Sequence, residues 1–206
     1  MSRRALQTLL IFSIGLFLSV LGVVKVHAAS AAPSAKPVSL IADSTPTDTA
    51  VMPILSGQPA PNFRLLNQEG HAVALSDFNG KWVVLYFYPK DFSEGCTLEA
   101  HNFQRDIQLY AAANAVILGV SVDSVGAHKD FCSKEGLNFK LLADTAGTVS
   151  ALYGSLHHWF GRKISARNTF IIGPDGTVDR IFKEVQPGTH SAQVLAALSE
   201  LGTPLK

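Results

Sequence analysis

Trp82-Val-Val-Leu-Tyr-Phe-Tyr88 runs directly into Pro89-Lys-Asp-Phe-Ser93-Glu-Gly95-Cys96-Thr97-Leu-Glu99, and this join of an apolar run to a cysteine decides how the chain is read. The near-continuously apolar run describes a strand buried on both faces, as in a parallel sheet covered by helices. Residues 97–110 then carry Leu98, Phe103, Ile107 and Tyr110 at helical spacing. Cys96 thus stands at the entrance to a helix. There the unpaired N–H groups and partial positive charge of the helix end favour thiolate, the reactive form, over thiol.

Outward from this join the pattern alternates. Ala115-Val-Ile-Leu-Gly-Val-Ser-Val122 reads as a second buried strand, so the segment is a βαβ unit with parallel strands. A helix is expected over 124–135, capped by Ser124 and ended by Gly136, with Cys132 in its last turn. A short helix is expected over 147–153. Upstream, Asn62-Phe-Arg-Leu-Leu and His71-Ala-Val-Ala-Leu alternate as a hairpin would. Downstream, Thr169-Phe-Ile-Ile172 and Val178-Asp-Arg-Ile-Phe182 flank the turn-forming Gly173-Pro-Asp-Gly176. Residues 190–201 close the chain as a helix with apolar Val194, Leu195, Leu198 and Leu201. Parallel βαβ, hairpin and final helix is the order of a thioredoxin-like α/β fold, a central mixed sheet flanked by helices. Neither an internal repeat nor a second domain is expected.

The 206 residues allow one domain and a tail. Arg3 and Arg4 precede an apolar run over 9–24, and Val26-His27-Ala28 supplies a small-residue cleavage pattern. The run is shorter than the roughly 20 residues that span a bilayer, so residues 1–28 read as a cleaved signal peptide, with a retained anchor as the alternative. Both imply export, to a periplasm or lumen-type compartment. Residues 29–56, rich in Ala, Ser, Thr and Pro, read as a flexible linker, and residues 57–206 as the folded domain. A net charge of +1 with no Lys/Arg stripe argues against nucleic acid. Seven histidines invite a metal reading, but adjacent His157 and His158 diverge and no ligand set completes around them, so neither metal nor cofactor is expected. Trp159 and Phe160 read as core or loop anchors in preference to an exposed patch, and Asp123 as the end of a strand.

The residues around Cys96 carry a resemblance. Pro89-x-x-x-Ser93-x-x-Cys96 resembles the Pro-x-x-x-Thr/Ser-x-x-Cys signature of peroxiredoxins. Tyr-Phe-Tyr-Pro-Lys-Asp with Gly-Cys-Thr-x-Glu-Ala is similar to the peroxiredoxin Q branch, also called bacterioferritin comigratory protein. Gly119-Val-Ser-Val-Asp123-Ser, His128-Lys-Asp-Phe131, Leu141-Leu-Ala-Asp144 and Arg167-Asn-Thr-Phe-Ile-Ile-Gly-Pro-Asp-Gly176 extend the likeness across residues 57–201.

That resemblance implies a thiol peroxidase acting on hydrogen peroxide and organic hydroperoxides. Cys96 would attack the peroxide as thiolate and become a sulfenic acid. The Ser93 hydroxyl and the Cys96 N–H would hold the peroxide, Arg167 would favour ionisation and polarise the oxygens, and Pro89 would shield the sulfur. Glu99 would orient Arg167; by itself it reads equally as an acid favourable to the helix dipole. The sulfur is expected to be exposed, with Arg167 close by. Many members of the branch carry a resolving cysteine five residues on, where this chain has His101; others place it in the following helix, and Cys132, 36 positions on, fits them. A Cys96–Cys132 disulfide would require the first turn around Cys96 to unwind, because two cysteines join only when their Cα atoms lie within about 7 Å. Cys132 by itself also reads as half of a permanent bridge or as a core residue. A thioredoxin or similar dithiol protein would reduce the disulfide. With a resolver in the same chain a monomer suffices. Glu94 stands where the family has proline and is expected to face solvent. Two other classes remain: an exported thiol-disulfide oxidoreductase, disfavoured because Glu99 stands where Cys-x-x-Cys needs its second cysteine, and a redox sensor on the same fold.

Overall fold

The computed structural model describes residues 53–202, so the expected signal peptide over 1–28 and most of the expected linker over 29–56 lie outside the described residues. The described chain runs β1 (Arg64–Asn67), β2 (Ala72–Ala74), β3 (Trp82–Phe87), α1 (Glu94–Arg105), α2 (Ile107–Ala112), β4 (Ala115–Ser121), α3 (Val125–Glu135), β5 (Lys140–Ala143), α4 (Thr148–Leu152), β6 (Leu156–Trp159), β7 (Arg162–Ser165), β8 (Thr169–Ile172), β9 (Val178–Phe182) and α5 (His190–Glu200). Seven strands form one mixed sheet in the order β2-β1-β5-β4-β3-β8-β9. The apolar runs expected to be parallel are so: β3 pairs with β4, and β4 with β5, in parallel. The two expected hairpins, β1 with β2 and β8 with β9, pair antiparallel.

β3 shows why its run has no polar gap. Val84, Tyr86 and Tyr88 face one apolar cluster, which also holds Cys96, Phe103, Tyr110, Phe131, Cys132 and Val194 from the helices. Val83, Leu85 and Phe87 face the other, with Phe63, Val149, Tyr153 and Phe170. Alternate side chains of a strand point to opposite faces, and here both faces are covered.

α3 has its expected boundaries: the Ser124 hydroxyl accepts from Ala127 N–H at 3.2 Å, and Gly136 ends the helix in the left-handed region at φ 65°. The helix expected over 97–110 departs from expectation in two ways. It begins at Glu94, which places Cys96 inside its first turn, and it breaks at Asp106 into α1 and α2. Asp106 sits at φ −93° and ψ 6°, its carboxylate held by Arg105 and by the Ser191 hydroxyl at 2.7 Å. Side-chain bonds of this kind offer the backbone an alternative to continuing a helix.

β5 and the separate β6–β7 hairpin were not anticipated. Trp159 and Phe160 at the tip of that hairpin correct the packing expectation, being 63% and 88% exposed. A two-stranded ribbon outside the main sheet has no second layer to bury them.

Candidate active site

α1 turns Cys96, Glu99, Ala100 and Phe103 inward at i, i+3, i+4 and i+7. An apolar stripe is expected at that spacing, so a carboxylate within it is informative. Glu99 is 1% exposed, and a buried carboxylate is tolerated only with partners. It has two. Arg167 Nη1 donates to Oε2 at 2.5 Å, and His190 Nδ1 lies 2.7 Å from Oε1. The remaining arm of the guanidinium, Nη2, donates to Cys96 Sγ at 3.1 Å. The chain of contacts therefore reads Cys96, Arg167, Glu99, His190.

Topology places Arg167. β8 runs antiparallel to β3 with Tyr86 opposite Thr169, so the start of β8 lies beside the loop that leaves β3. Phe87 N–H donates to Asn168 C=O at 2.8 Å and Val185 N–H to Arg167 C=O at 3.2 Å, anchoring the backbone on either side. Burial works against the charge on Arg167, but the negative charges of Cys96 and Glu99 outweigh it and hold the guanidinium above its ordinary value. Gly95 makes room: a Cβ there would stand 3.0 Å from Arg167 Nη2.

Cys96 is 2% exposed, which corrects the expectation of an exposed sulfur. The cause is its place on the inward stripe of α1, within the apolar cluster of Tyr86 and Tyr88. Arg167, whose side chain keeps 18% exposure, is the partly open member of the charge chain. As the third residue of α1, Cys96 also has an N–H among the first four, which lack partners within the helix.

Ser93 is the N-cap of α1; its hydroxyl donates to Lys90 C=O at 3.0 Å, leaving oxygen lone pairs to accept. Ser93 and Pro89, both half-buried, line an apolar recess of about 330 Å³ together with Lys90, Trp159 and Ile164. Glu94 is exposed, as expected.

Cys132 lies in the same apolar cluster but on another helix, near the end of α3, with different charged neighbours. Burial, with the negative charges of Asp91 and Glu69 adding to it, pushes its thiol up to about 12. Both cysteines are free thiols. The loop before Cys96 is nevertheless tied to α3: Asp91 Oδ2 lies 2.8 Å from His128 Nδ1 with both side chains buried, and the Tyr88 hydroxyl donates to Asp91 Oδ1 at 2.7 Å. Phe92, at φ 60°, packs edge-on against Phe131 with ring centroids 5.0 Å apart. Asp123 does more than end a strand, its carboxylate accepting from Asp91 N–H at 2.9 Å.

Sequence reasoning missed His190, His128 and Asp91. The available signal was Glu99 on the inward stripe, a buried carboxylate that requires donors.

A profile of the AhpC/TSA family matches residues 56–181. Peroxiredoxin Bcp of Bacillus subtilis is 38% identical over 154 residues, covering 73% of this chain and 98% of that protein. Chloroplastic peroxiredoxin Q of Oryza sativa subsp. japonica is 37% identical over 149 residues, covering 72% and 68%. Among solved structures, a mutant of Xylella fastidiosa PrxQ superposes with a TM-score of 0.69 at 30% identity, covering 72% of this chain and 97% of that one. Xanthomonas campestris bacterioferritin comigratory protein, described for its alkyl peroxide reduction activity, superposes with a TM-score of 0.64 at 33% identity, covering 68% and 91%.

Proposed function

This chain belongs to the AhpC/TSA family, in its Bcp/peroxiredoxin Q branch of thiol peroxidases, and we propose that Cys96 is the attacking sulfur, Cys132 its resolver, and hydrogen peroxide and organic hydroperoxides the substrates. The observation that carries this reading is the Arg167 guanidinium shared between Cys96 Sγ at 3.1 Å and Glu99. The Cys96 thiolate attacks one peroxide oxygen, the O–O bond breaks, and the departing oxygen takes a proton to leave as water or an alcohol. Arg167 and the N–H groups at the start of α1 stabilise the charge that develops there. Ser93 accepts a hydrogen bond from the peroxide hydroxyl. The recess between Pro89, Ser93 and Trp159 suits the organic group of a larger hydroperoxide.

Condensation of the Cys132 thiol with the Cys96 sulfenic acid forms a disulfide and releases water. With Cys96 in the first turn of α1 and Cys132 near the end of α3, that step requires the first turn of α1 to unwind. A thioredoxin-like dithiol partner then returns both thiols by exchange. Export behind residues 1–28 on a linker over 29–56, and action as a monomer, complete the proposal.

Rapid mixing of the reduced protein with hydrogen peroxide tests it. Oxidation of Cys96 is expected orders of magnitude faster than that of a free thiol, and Cys132→Ser is expected to accumulate over-oxidised Cys96 by mass spectrometry. A free-thiol rate would remove the peroxidase assignment of Cys96, and an unchanged oxidation profile in Cys132→Ser would remove the resolver.

A further inference from the structure

The charge chain at Cys96 does not end at Glu99. A guanidinium and a carboxylate ordinarily meet as two parallel N–H···O bonds. Here they do not: Glu99 gives Arg167 only Oε2 and gives Oε1 to His190, while Arg167 keeps Nη2 for the sulfur.

We propose that His190 is a positioning residue for the peroxide step, occupying Glu99 Oε1 so that the carboxylate cannot take both arms of Arg167 away from Cys96. The proposal rests on Cys96 as the attacking thiolate and Arg167 as its polarising partner.

Three observations support it. First, His190 is fully buried and its ring is walled by Phe103 and Phe182, with centroids 5.2 and 6.1 Å away. Among the described residues its Nε2 has no hydrogen-bond partner. The ring's one polar contact is therefore through Nδ1, and an N–H there satisfies the buried carboxylate oxygen. Second, His190 opens α5, whose start is stitched to α1, to its end at Asp106 and to α2. Asn102 Nδ2 donates to Pro187 C=O at 3.1 Å, the Tyr110 hydroxyl to Ser191 C=O at 2.9 Å, and the Ser191 hydroxyl to Asp106 Oδ2 at 2.7 Å. The imidazole is thereby fixed relative to the helix that carries both Cys96 and Glu99. Third, among the described residues no other donor reaches Oε1. Without His190 that oxygen is a buried acceptor with one available partner, the second arm of Arg167.

The experiment compares rates of Cys96 oxidation by hydrogen peroxide, measured by rapid mixing on the full chain, alongside thermal melts. His190→Leu, which fills the space without a donor, is expected to react about tenfold or more slowly, because a small misplacement of a group at the reacting centre carries a penalty of that order. His190→Asn, with a donor close to the position of Nδ1, is expected to regain most of the rate. In a Glu99→Gln background, His190→Leu is expected to slow the reaction less than about twofold further, since residues acting in series are not additive. His190→Gln, which sets its donor farther from the backbone, is expected to be slow and replaces the leucine variant if that one does not fold. A wild-type rate in His190→Leu or His190→Gln, no recovery in His190→Asn, or losses that multiply in the Glu99→Gln background would each overturn the proposal. A wild-type Cys96 oxidised no faster than a free thiol overturns instead the peroxidase reading on which it rests.

Discussion

Two buried histidine–carboxylate pairs flank the start of α1, and they do opposite work. Glu99 and His190 sit behind Arg167 and direct a positive charge at the Cys96 sulfur. Asp91 and His128 contain no arginine; they join the loop before Cys96 to α3, one helical turn before Cys132. The first pair holds a single cationic donor, Arg167, against its cysteine. The second adds a carboxylate beside its cysteine and, with burial, keeps that thiol protonated. The difference is that the first pair is bridged to sulfur by a third, cationic group and the second is not.

The comparison breaks most sharply at Arg167. Replacing it with alanine removes the donor that distinguishes the Cys96 side, and the peroxide rate constant is expected to fall on the order of a hundredfold to a thousandfold, as for loss of one charge-stabilising donor. Stopped-flow measurement checks this, and a loss under about threefold would show that the cationic bridge is not what sets the two pairs apart.

The second pair is expected to matter for stability. His128→Leu leaves the Asp91 carboxylate buried with only the Tyr88 hydroxyl as a side-chain donor, which costs about 3 kcal/mol, or roughly 10 °C in Tm for a domain of this size. The peroxide rate is expected to stay within about threefold of wild type. Calorimetry and stopped-flow on the same preparation separate the two effects; an intact melt with a collapsed rate would exchange the roles of the pairs.

The smallest effect concerns Cys132. Its thiol is raised from 9.0 to about 12 in the folded protein, so the folded state binds its proton more tightly than the unfolded state does. The resulting stabilisation is fully present below about pH 9 and is lost as pH rises toward about 12. Chemical denaturation of the reduced protein at pH 8 and pH 10.5 is expected to show a decline that Cys132→Ser reduces by about 2 kcal/mol. Equal declines in the two proteins would show that neither burial nor the negative surroundings of Cys132 act on its thiol.

The sheet and the cysteine at a helix start were legible because their signals are local. β3, β4 and α3 each announce themselves within a dozen residues through apolar runs, a serine cap and a left-handed glycine. The β6–β7 hairpin was illegible because His157, His158, Arg162 and Lys163 give it no apolar alternation, and its exposed Trp159 and Phe160 look like core when read as residue types. Cys96 read as exposed because its motif reports reactivity, whereas its burial is set by the phase of α1.

From the chain alone came the α/β class, the thiol at a helix start, and Arg167 and Glu99 as its expected neighbours. The fold alone decided that the thiol faces inward and that His190, 91 residues from Glu99, completes the carboxylate's partners. It also set Asp91 against His128. The reason is physical: periodicity and capping act over a few residues, whereas a buried charge takes whichever donors the closed sheet and its helices bring within 3 Å, and no short-range pattern records that meeting.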